Sequence, residues 1–264
     1  MMPIYNKIPE DWNDLQNKVA KIFLDMGFET YTEKTVSLVR GSVEVDVYAQ
    51  KKRAKTNTVY IAECKYWNSP VPKQIVHAFR TIVSDFNVQA GYIVSKSGFQ
   101  KGAKEAAENS NTFLMTFEDF QEEFYEEWLS AVVDELNYIG QPLRKYADYM
   151  EDFYDEELKK LSPDKQEAFY RLCKEYMSSS MISSRNNYKH IITGNLEMDY
   201  IDSTVERYKK DIPADISINS LMEYFDYAKS FSEKALKQFD SLFDNPPRHW
   251  TSIDLENQRN GSRS

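Results

Sequence analysis

The spacing of apolar and polar residues in the first half of the chain predicts a sheet flanked by helices. Apolar residues recur at three- and four-residue intervals over 12–26, which is the pattern of one helical face. Short runs with strand-like character follow. The further elements are predicted in this order: strands near 36–40, at 43–49 and at 58–67, a helix from Pro72 to about Phe86, a strand at 91–95, a helix at 97–109 and a strand at 112–117.

The second half of the chain has a different pattern, because strand-like runs are not found after Asp119. Helical spacing predicts one helix over about 119–139, a second that opens at Ser162-Pro163-Asp164, and a long third helix after Asn219. This half is therefore expected to be all helical.

The fold class that follows is α/β, a mixed sheet flanked by helices in the order α-β-β-β-α-β-α-β, followed by an all-helical C-terminal domain. We expect the sheet domain to span 1–118 and the helical domain 119–245. The polar segment 246–264 follows Phe243 and contains a Pro-Pro pair, so we expect it to be a disordered tail.

Charge is distributed unevenly between these halves. Residues 1–118 carry 15 lysines and arginines against 13 acidic residues, a net charge of +2, whereas 119–264 carry 18 against 29, a net charge of −11. A strongly acidic segment repels phosphate, so any nucleic-acid surface is expected in the first half. We expect a cytoplasmic protein without membrane contact, because the sequence contains two cysteines, no signal-peptide pattern and no long apolar run.

Three residues of the first half have the chemistry of a metal-dependent phosphodiesterase. Glu63 and Lys65 are two apart on a predicted strand and therefore point to one face, and Asp46 lies on the preceding strand. Carboxylate oxygens are the ligands that Mg²⁺ and Mn²⁺ prefer, and a lysine beside them stabilises developing negative charge. Charged side chains within an apolar strand cost several kcal/mol to bury unless they pair or hold a metal.

The first half resembles the Mrr-type restriction endonuclease domain of the PD-(D/E)xK nuclease superfamily. The resemblance covers about residues 12–118 and rests on three motifs in order. They are Glu44-Val45-Asp46, Glu63-Cys64-Lys65, and Ser95-Lys96-Ser97-Gly98-Phe99 ahead of a helix with Ala103, Ala106 and Ala107. The resemblance implies a restriction-endonuclease-like fold, Asp46 and Glu63 as ligands of Mg²⁺ or Mn²⁺, and Lys65 as the residue that positions or activates water. In one departure, Gln16 stands where the family usually carries a glutamate.

Several further residues are candidates for substrate contact beside these. Lys73 and Gln74 open the helix after the Glu63 strand and either contact phosphate or form a solvated first turn. A basic run in the predicted hairpin loop either tracks a DNA backbone or is only solvated; its members are Lys51, Lys52, Arg53 and Lys55. Ser97 is expected to cap a helix whose N-terminus offers a phosphate site.

These features predict a Mg²⁺-dependent endodeoxyribonuclease that acts in restriction or defence against foreign DNA. DNA is expected to bind the N-terminal domain, and the helical domain is expected to self-associate or to bind a protein partner. Two alternatives stay open: a nuclease of the same fold that cuts branched DNA or RNA, and an idle nuclease fold that serves as a binding or scaffold module.

Overall fold

The structure is a computed structural model that describes residues 2–39, 41–52, 56–86, 88–147, 154–188, 199–210 and 212–246. The chain divides into two compact units. The sheet unit comprises Lys7–Ala131, and the helical unit comprises Met1–Asn6 with Val132–Ser264.

The sheet unit has the order of elements that the sequence predicts. The bounds are α1 Trp12–Asp25, β1 Glu29–Leu38, β2 Gly41–Lys52, β3 Asn57–Lys65, α2 Lys73–Asp85, β4 Ala90–Ser95, α3 Lys101–Ala107 and β5 Thr112–Thr116, after which α4 Phe117–Ala147 begins. The predicted fold class, a mixed sheet with flanking helices and a helical C-terminal region, is confirmed.

The five strands lie in the order β1-β2-β3-β4-β5. The pairs β1–β2 and β2–β3 are antiparallel, whereas β3–β4 and β4–β5 are parallel. Every residue of β4 is buried, as expected for a strand covered on both faces. Because β3 and β4 are parallel and in register, Lys65 at the end of β3 lies beside Ser95 at the end of β4.

Both faces of the sheet are covered by apolar side chains. On one face, Ile61 of β3 and Ile93 of β4 belong to a buried cluster with Val76, Phe79 and Val83 of α2. Tyr92 is next to Ile93 in β4, so its side chain points to the opposite face of the sheet. There it belongs to an aromatic cluster of edge-to-face rings, whose members are Phe23, Tyr60, Tyr92, Phe120 and Phe124.

Among the boundaries that differ from those that the sequence suggests, three have a clear physical reason. Strand β1 begins at Glu29, ahead of the predicted 36–40, because it is an edge strand whose mostly exposed residues lack the apolar pattern. Helix α3 begins at Lys101, so Ser97 is not its N-cap. Helix α4 continues past 139 and through Pro142, because Leu143 and Tyr146 extend its buried face.

Among the residues that the structure describes, the helical unit contains the C-terminal part of α4 and the helices α5 Tyr154–Leu158, α6 Pro163–Tyr176, α7 Asp199–Lys209 and α8 Leu221–Asp240, with 3₁₀ turns at Ser179–Ser183 and Arg185–Tyr188. The Ser162 hydroxyl accepts a hydrogen bond from the Lys165 N–H and caps α6, as predicted. In the core, the Tyr146 ring stacks on Phe239 with 4.9 Å between centroids. Of the predicted tail 246–264, all but Pro246 lies outside the described residues.

None of the helices that the structure describes is both long and apolar enough to cross a membrane.

Gly91 of β4 allows a close approach of α2 to the sheet. A Cβ at this position would overlap Cγ2 of Val83 and lie 2.8 Å from Cε1 of Phe79, so Gly91→Ala forces the helix or the strand to move. We expect a loss of about 1–3 kcal/mol in the free energy of unfolding, measured by urea titration of the full chain.

Gly102→Ala is the matched control for this substitution. A Cβ at Gly102 would meet only Cδ of Lys73, at 3.7 Å, and the position lies within α3. We expect this variant to be neutral or stabilised by up to about 1 kcal/mol. Equal unfolding midpoints for the two variants would contradict the close packing of α2 on β4.

Candidate active site

The candidate site lies where β2 and β3 separate. Their antiparallel pairing runs from Lys52–Asn57 to Val47–Ala62 and stops there. Beyond that pair, Oδ2 of Asp46 accepts a hydrogen bond from the Cys64 backbone N–H at 2.6 Å. The Cys64 N–H is the first one beyond the β2–β3 pairing and has no backbone partner in β2. The Asp46 carboxylate accepts its hydrogen bond instead, which fixes Asp46 against β3.

Glu63 and Lys65 complete the group from the end of β3. Both are half-buried, with 22% and 15% of their side chains exposed, and the Lys65 ammonium donates a hydrogen bond to Oε1 of Glu63. Burial raises the pKa of Glu63, and the nearby Asp46 carboxylate raises this pKa further, whereas Lys65 opposes the shift. The structure therefore brings the three sequence-predicted residues together.

Gln16 reaches the same place from α1. Its side chain is buried, and its Nε2 donates a hydrogen bond to the backbone carbonyl of Asp46 at 2.5 Å. This carbonyl belongs to the residue at which β2 leaves β3, so the amide of Gln16 supports the backbone that carries the first carboxylate.

Cys64 alternates with Glu63 and Lys65 and is fully buried. Burial raises the pKa of its thiol well above the ordinary value, with smaller contributions from the Asp46 and Glu63 carboxylates. It is therefore a packed apolar residue, as the sequence suggests, and not a nucleophile.

The residues that follow Lys65 form an aromatic shelf, which consists of Tyr66, Trp67, Asn68, Lys96 and Ser97. The Trp67 ring centre lies 5.5 Å from Nζ of Lys65, and Nζ of Lys96 lies 4.1 Å from the Tyr66 ring centre. Sequence analysis assigned no role to Tyr66, Trp67 or Lys96. The available signal was two aromatic residues directly after Glu63-Cys64-Lys65.

A pocket of about 150 Å³ adjoins the shelf at Tyr66 and Lys96. Its apolar wall includes Leu15 and Phe117, and Ser95 contributes a polar edge. Leu15 precedes Gln16 and Ser95 pairs with Lys65, so the pocket lies at the same end of the sheet as the candidate site.

The remaining predicted residues are dispersed around this group. Glu44 is exposed two residues before Asp46, and Lys73 and Gln74 are exposed in the first turn of α2. Ser97 lies in the shelf, where its hydroxyl donates to the Trp67 carbonyl at 2.6 Å, so it offers no helix N-terminus to a phosphate.

The basic run was predicted as a loop, but two of its members belong to β2. Nζ of Lys51 donates to the Met26 carbonyl at 2.7 Å, next to the end of α1, and Lys52 is exposed at the end of the strand. Arg53 and Lys55 lie outside the described residues.

The donor set suits a hard divalent cation with few protein ligands. Two carboxylates are neighbours, the pKa of Glu63 is raised, and the Lys65 ammonium pairs with Glu63. The described residues contain no group of three or more His, Cys, Asp or Glu that would hold a metal. Mg²⁺ commonly binds through one or two carboxylates and keeps several waters, so Asp46 and Glu63 fit this ion.

Comparisons with known proteins agree with the motifs. Residues 9–124 match the family model for a restriction endonuclease. A comparison with curated proteins gave no significant match.

Two solved structures show similarity to the chain. The protein of unknown function AF1548 is 18% identical with a TM-score of 0.35, and the match covers 76% of this chain and 97% of that one. The MspJI restriction endonuclease in complex with a 27-mer oligonucleotide is 17% identical with a TM-score of 0.30, over 45% of this chain and 28% of that one.

Asp46 has a structural role that its chemistry alone does not indicate. Alanine at this position leaves the Cys64 N–H without its acceptor, so we expect Asp46→Ala to lose about 1–3 kcal/mol of unfolding free energy. Asp46→Asn keeps an acceptor oxygen, so we expect its free energy of unfolding to lie within about 1 kcal/mol of that of the natural sequence. Urea titration measures both, and equal losses would show that the hydrogen bond does not hold the strand.

Proposed function

We propose that the protein is a metal-dependent endonuclease that hydrolyses DNA phosphodiester bonds with Asp46, Glu63 and Lys65, since residues 9–124 match the restriction endonuclease family model. One observation carries the proposal. Two carboxylates and an ammonium group meet at the separated ends of β2 and β3, beside the buried apolar residues of β3 and β4. Asp46 also holds the strand, but a partly buried pair such as Glu63 and Lys65 rarely stabilises a fold more than apolar residues of similar size.

Each residue has a distinct part in this reaction. Asp46 and Glu63 would hold Mg²⁺ or Mn²⁺, which supplies Lewis acidity and lowers the pKa of water when bound. Lys65 stabilises the negative charge that develops on the attacked phosphate or on the incoming oxygen. Gln16 positions Asp46 through the backbone carbonyl.

We propose that the exposed Lys73 and Gln74, in the first turn of α2, contact a phosphate of the substrate. Lys52 lies at the other end of the β2–β3 pairing from Asp46, so a contact from Lys52, or from Arg53 after it, would be with DNA further from the scissile bond. Lys51 is a weaker candidate for a phosphate contact, because its ammonium already donates a hydrogen bond to the Met26 carbonyl. Restriction or defence against foreign DNA in the cytoplasm is the role proposed for this activity.

The alternatives differ from this proposal in substrate or in activity. A nuclease for branched DNA or RNA would use the same three residues. An idle scaffold would have no use for a half-buried Glu63 whose pKa is raised by burial and by Asp46. The intact group therefore favours an active enzyme.

The decisive test is cleavage of plasmid and linear DNA by the full chain with Mg²⁺ or Mn²⁺ and with EDTA. We expect cleavage that EDTA abolishes. Asp46→Asn, Glu63→Gln and Lys65→Met are expected to lower the rate by at least about 100-fold, because each removes a charge used in the transition state. Lys65→Met that cuts at the natural rate would contradict the mechanism.

A matched control comes from the ion pair of Lys159 with Glu156, which is exposed in the helical unit. Lys159→Met and Glu156→Gln change the same residue types and are expected to leave cleavage unchanged. Binding of Mn²⁺, followed by its electron paramagnetic resonance signal, is expected to fall in Asp46→Asn and Glu63→Gln but not in the controls. Unchanged Mn²⁺ affinity in both site variants would exclude these carboxylates as ligands.

We further propose that the helical unit mediates self-association, with a protein partner as the alternative. Its part of the chain is strongly acidic, and α6 exposes Tyr170 and Met177 two turns apart, with Met181 just beyond. Two nuclease domains also suit a cut in both DNA strands.

Light scattering of the full chain tests this association. We expect a dimer that dissociates when Tyr170 and Met177 are both replaced by glutamate, because burying two new charges opposes the contact. Lys234→Glu on the exposed side of α8 serves as control. A monomeric natural chain would reject self-association and leave the nuclease assignment standing.

A further inference from the structure

Trp67 is an exposed indole at the border of the candidate site. It lies two residues after Lys65, and 40% of it is accessible to solvent. Trp128 in the same unit shows the contrast, since it is fully buried and its Nε1 donates to Asp25 at 3.0 Å. The position of Trp67 is therefore not explained by core packing.

The aromatic shelf is fixed to the ends of both central parallel strands. The Ser97 hydroxyl holds the Trp67 carbonyl, Nζ of Lys96 donates to Oδ1 of Asn68 at 2.9 Å, and the Lys96 N–H donates to the Lys65 carbonyl at 3.0 Å. These hydrogen bonds hold the backbone that carries the Trp67 ring, so the ring loses little conformational entropy when a ligand stacks on it.

The shelf combines the two features that a nucleotide requires. The rings of Tyr66 and Trp67 provide flat apolar surface, and Lys96 provides a positive charge beside them. Aromatic side chains interleaved with cations bind single-stranded nucleic acid, because each base has a face for stacking and each phosphate a charge. Lys65 lies within 5.5 Å of the Trp67 ring centre, so a nucleotide on the shelf would adjoin the phosphate at the site.

We propose that the aromatic shelf binds an unpaired nucleotide next to the scissile phosphate, with Trp67 stacking on its base and Lys96 contacting its phosphate. A base inside a duplex has both faces covered by its neighbours and offers none to Trp67. The enzyme therefore binds DNA more tightly where bases are already unpaired, as in a single strand or a flap, and must flip a base out of a duplex before it cuts there. This inference rests on the proposed nuclease function, since it names the substrate class of the same site.

The test measures binding by the full chain in EDTA, which separates binding from cleavage. Three fluorescent DNA probes of one sequence are used: a single strand, a blunt duplex, and a duplex with a single-stranded flap. We expect the natural protein to bind the single strand and the flap more tightly than the blunt duplex. Trp67→Ala is expected to weaken binding to the single strand and the flap about tenfold and to the duplex less than about twofold.

Companion variants separate stacking from charge and from folding. Trp67→Tyr keeps a ring and is expected to restore most of the affinity. Lys96→Gln removes a phosphate contact and is expected to weaken binding to the single strand and the flap by several-fold. Tyr31→Ala removes another exposed ring that lies beside a lysine, 4.2 Å from Nζ of Lys34, and is expected to change nothing.

The results have distinct meanings. No preference of the natural protein for unpaired DNA, an equal loss on all three probes in Trp67→Ala, or no rescue by Trp67→Tyr overturns the shelf. If these bindings behave as expected while Mg²⁺ gives no cleavage in the separate assay, the nuclease function fails and the shelf stands. If the protein cleaves DNA but Trp67→Ala has no selective effect on the unpaired probes, nucleotide binding by the shelf is rejected and the nuclease function stands.

Discussion

The hydrogen bond from the Cys64 N–H to the Asp46 carboxylate is the contact on which the candidate site depends. Two antiparallel strands can separate inside a protein only if the N–H and C=O groups they release find new partners. Here the released N–H is bound by a carboxylate, and the Asp46 carbonyl is bound by the buried amide of Gln16. The side chain that binds the released N–H is thereby the one proposed as a metal ligand.

This arrangement has a cost in stability that function accounts for. Glu63 is mostly buried, and its neighbours include a second carboxylate, so its ionised form is disfavoured even with Lys65 beside it. An apolar side chain would pack at this point without that penalty. Local rules of folding are commonly broken at sites that act on a ligand, and the candidate site at the end of β3 fits this pattern.

The sequence predicted the order of elements, because apolar periodicity is a local signal. It also predicted that Asp46, Glu63 and Lys65 lie together, whereas their catalytic roles stay a prediction. It did not predict the start of β1, since an exposed edge strand has little apolar pattern. The prediction of Ser97 as a helix cap was wrong, because its hydroxyl donates a hydrogen bond to the Trp67 carbonyl, thirty residues away. The shelf was missed for the same reason: Tyr66 and Lys96 meet only through the parallel pairing of β3 with β4.

Helix α4 constrains how this chain can have arisen by recombination. It is 31 residues long, and the limit between the two units, after Ala131, falls within it. Its first part gives Phe120 and Phe124 to the aromatic cluster of the sheet unit, and its last part gives Leu143 and Tyr146 to the helical core. A nuclease domain exchanged between proteins at residue 118 would leave those two phenylalanines behind. A viable junction between such domains must therefore preserve this helix.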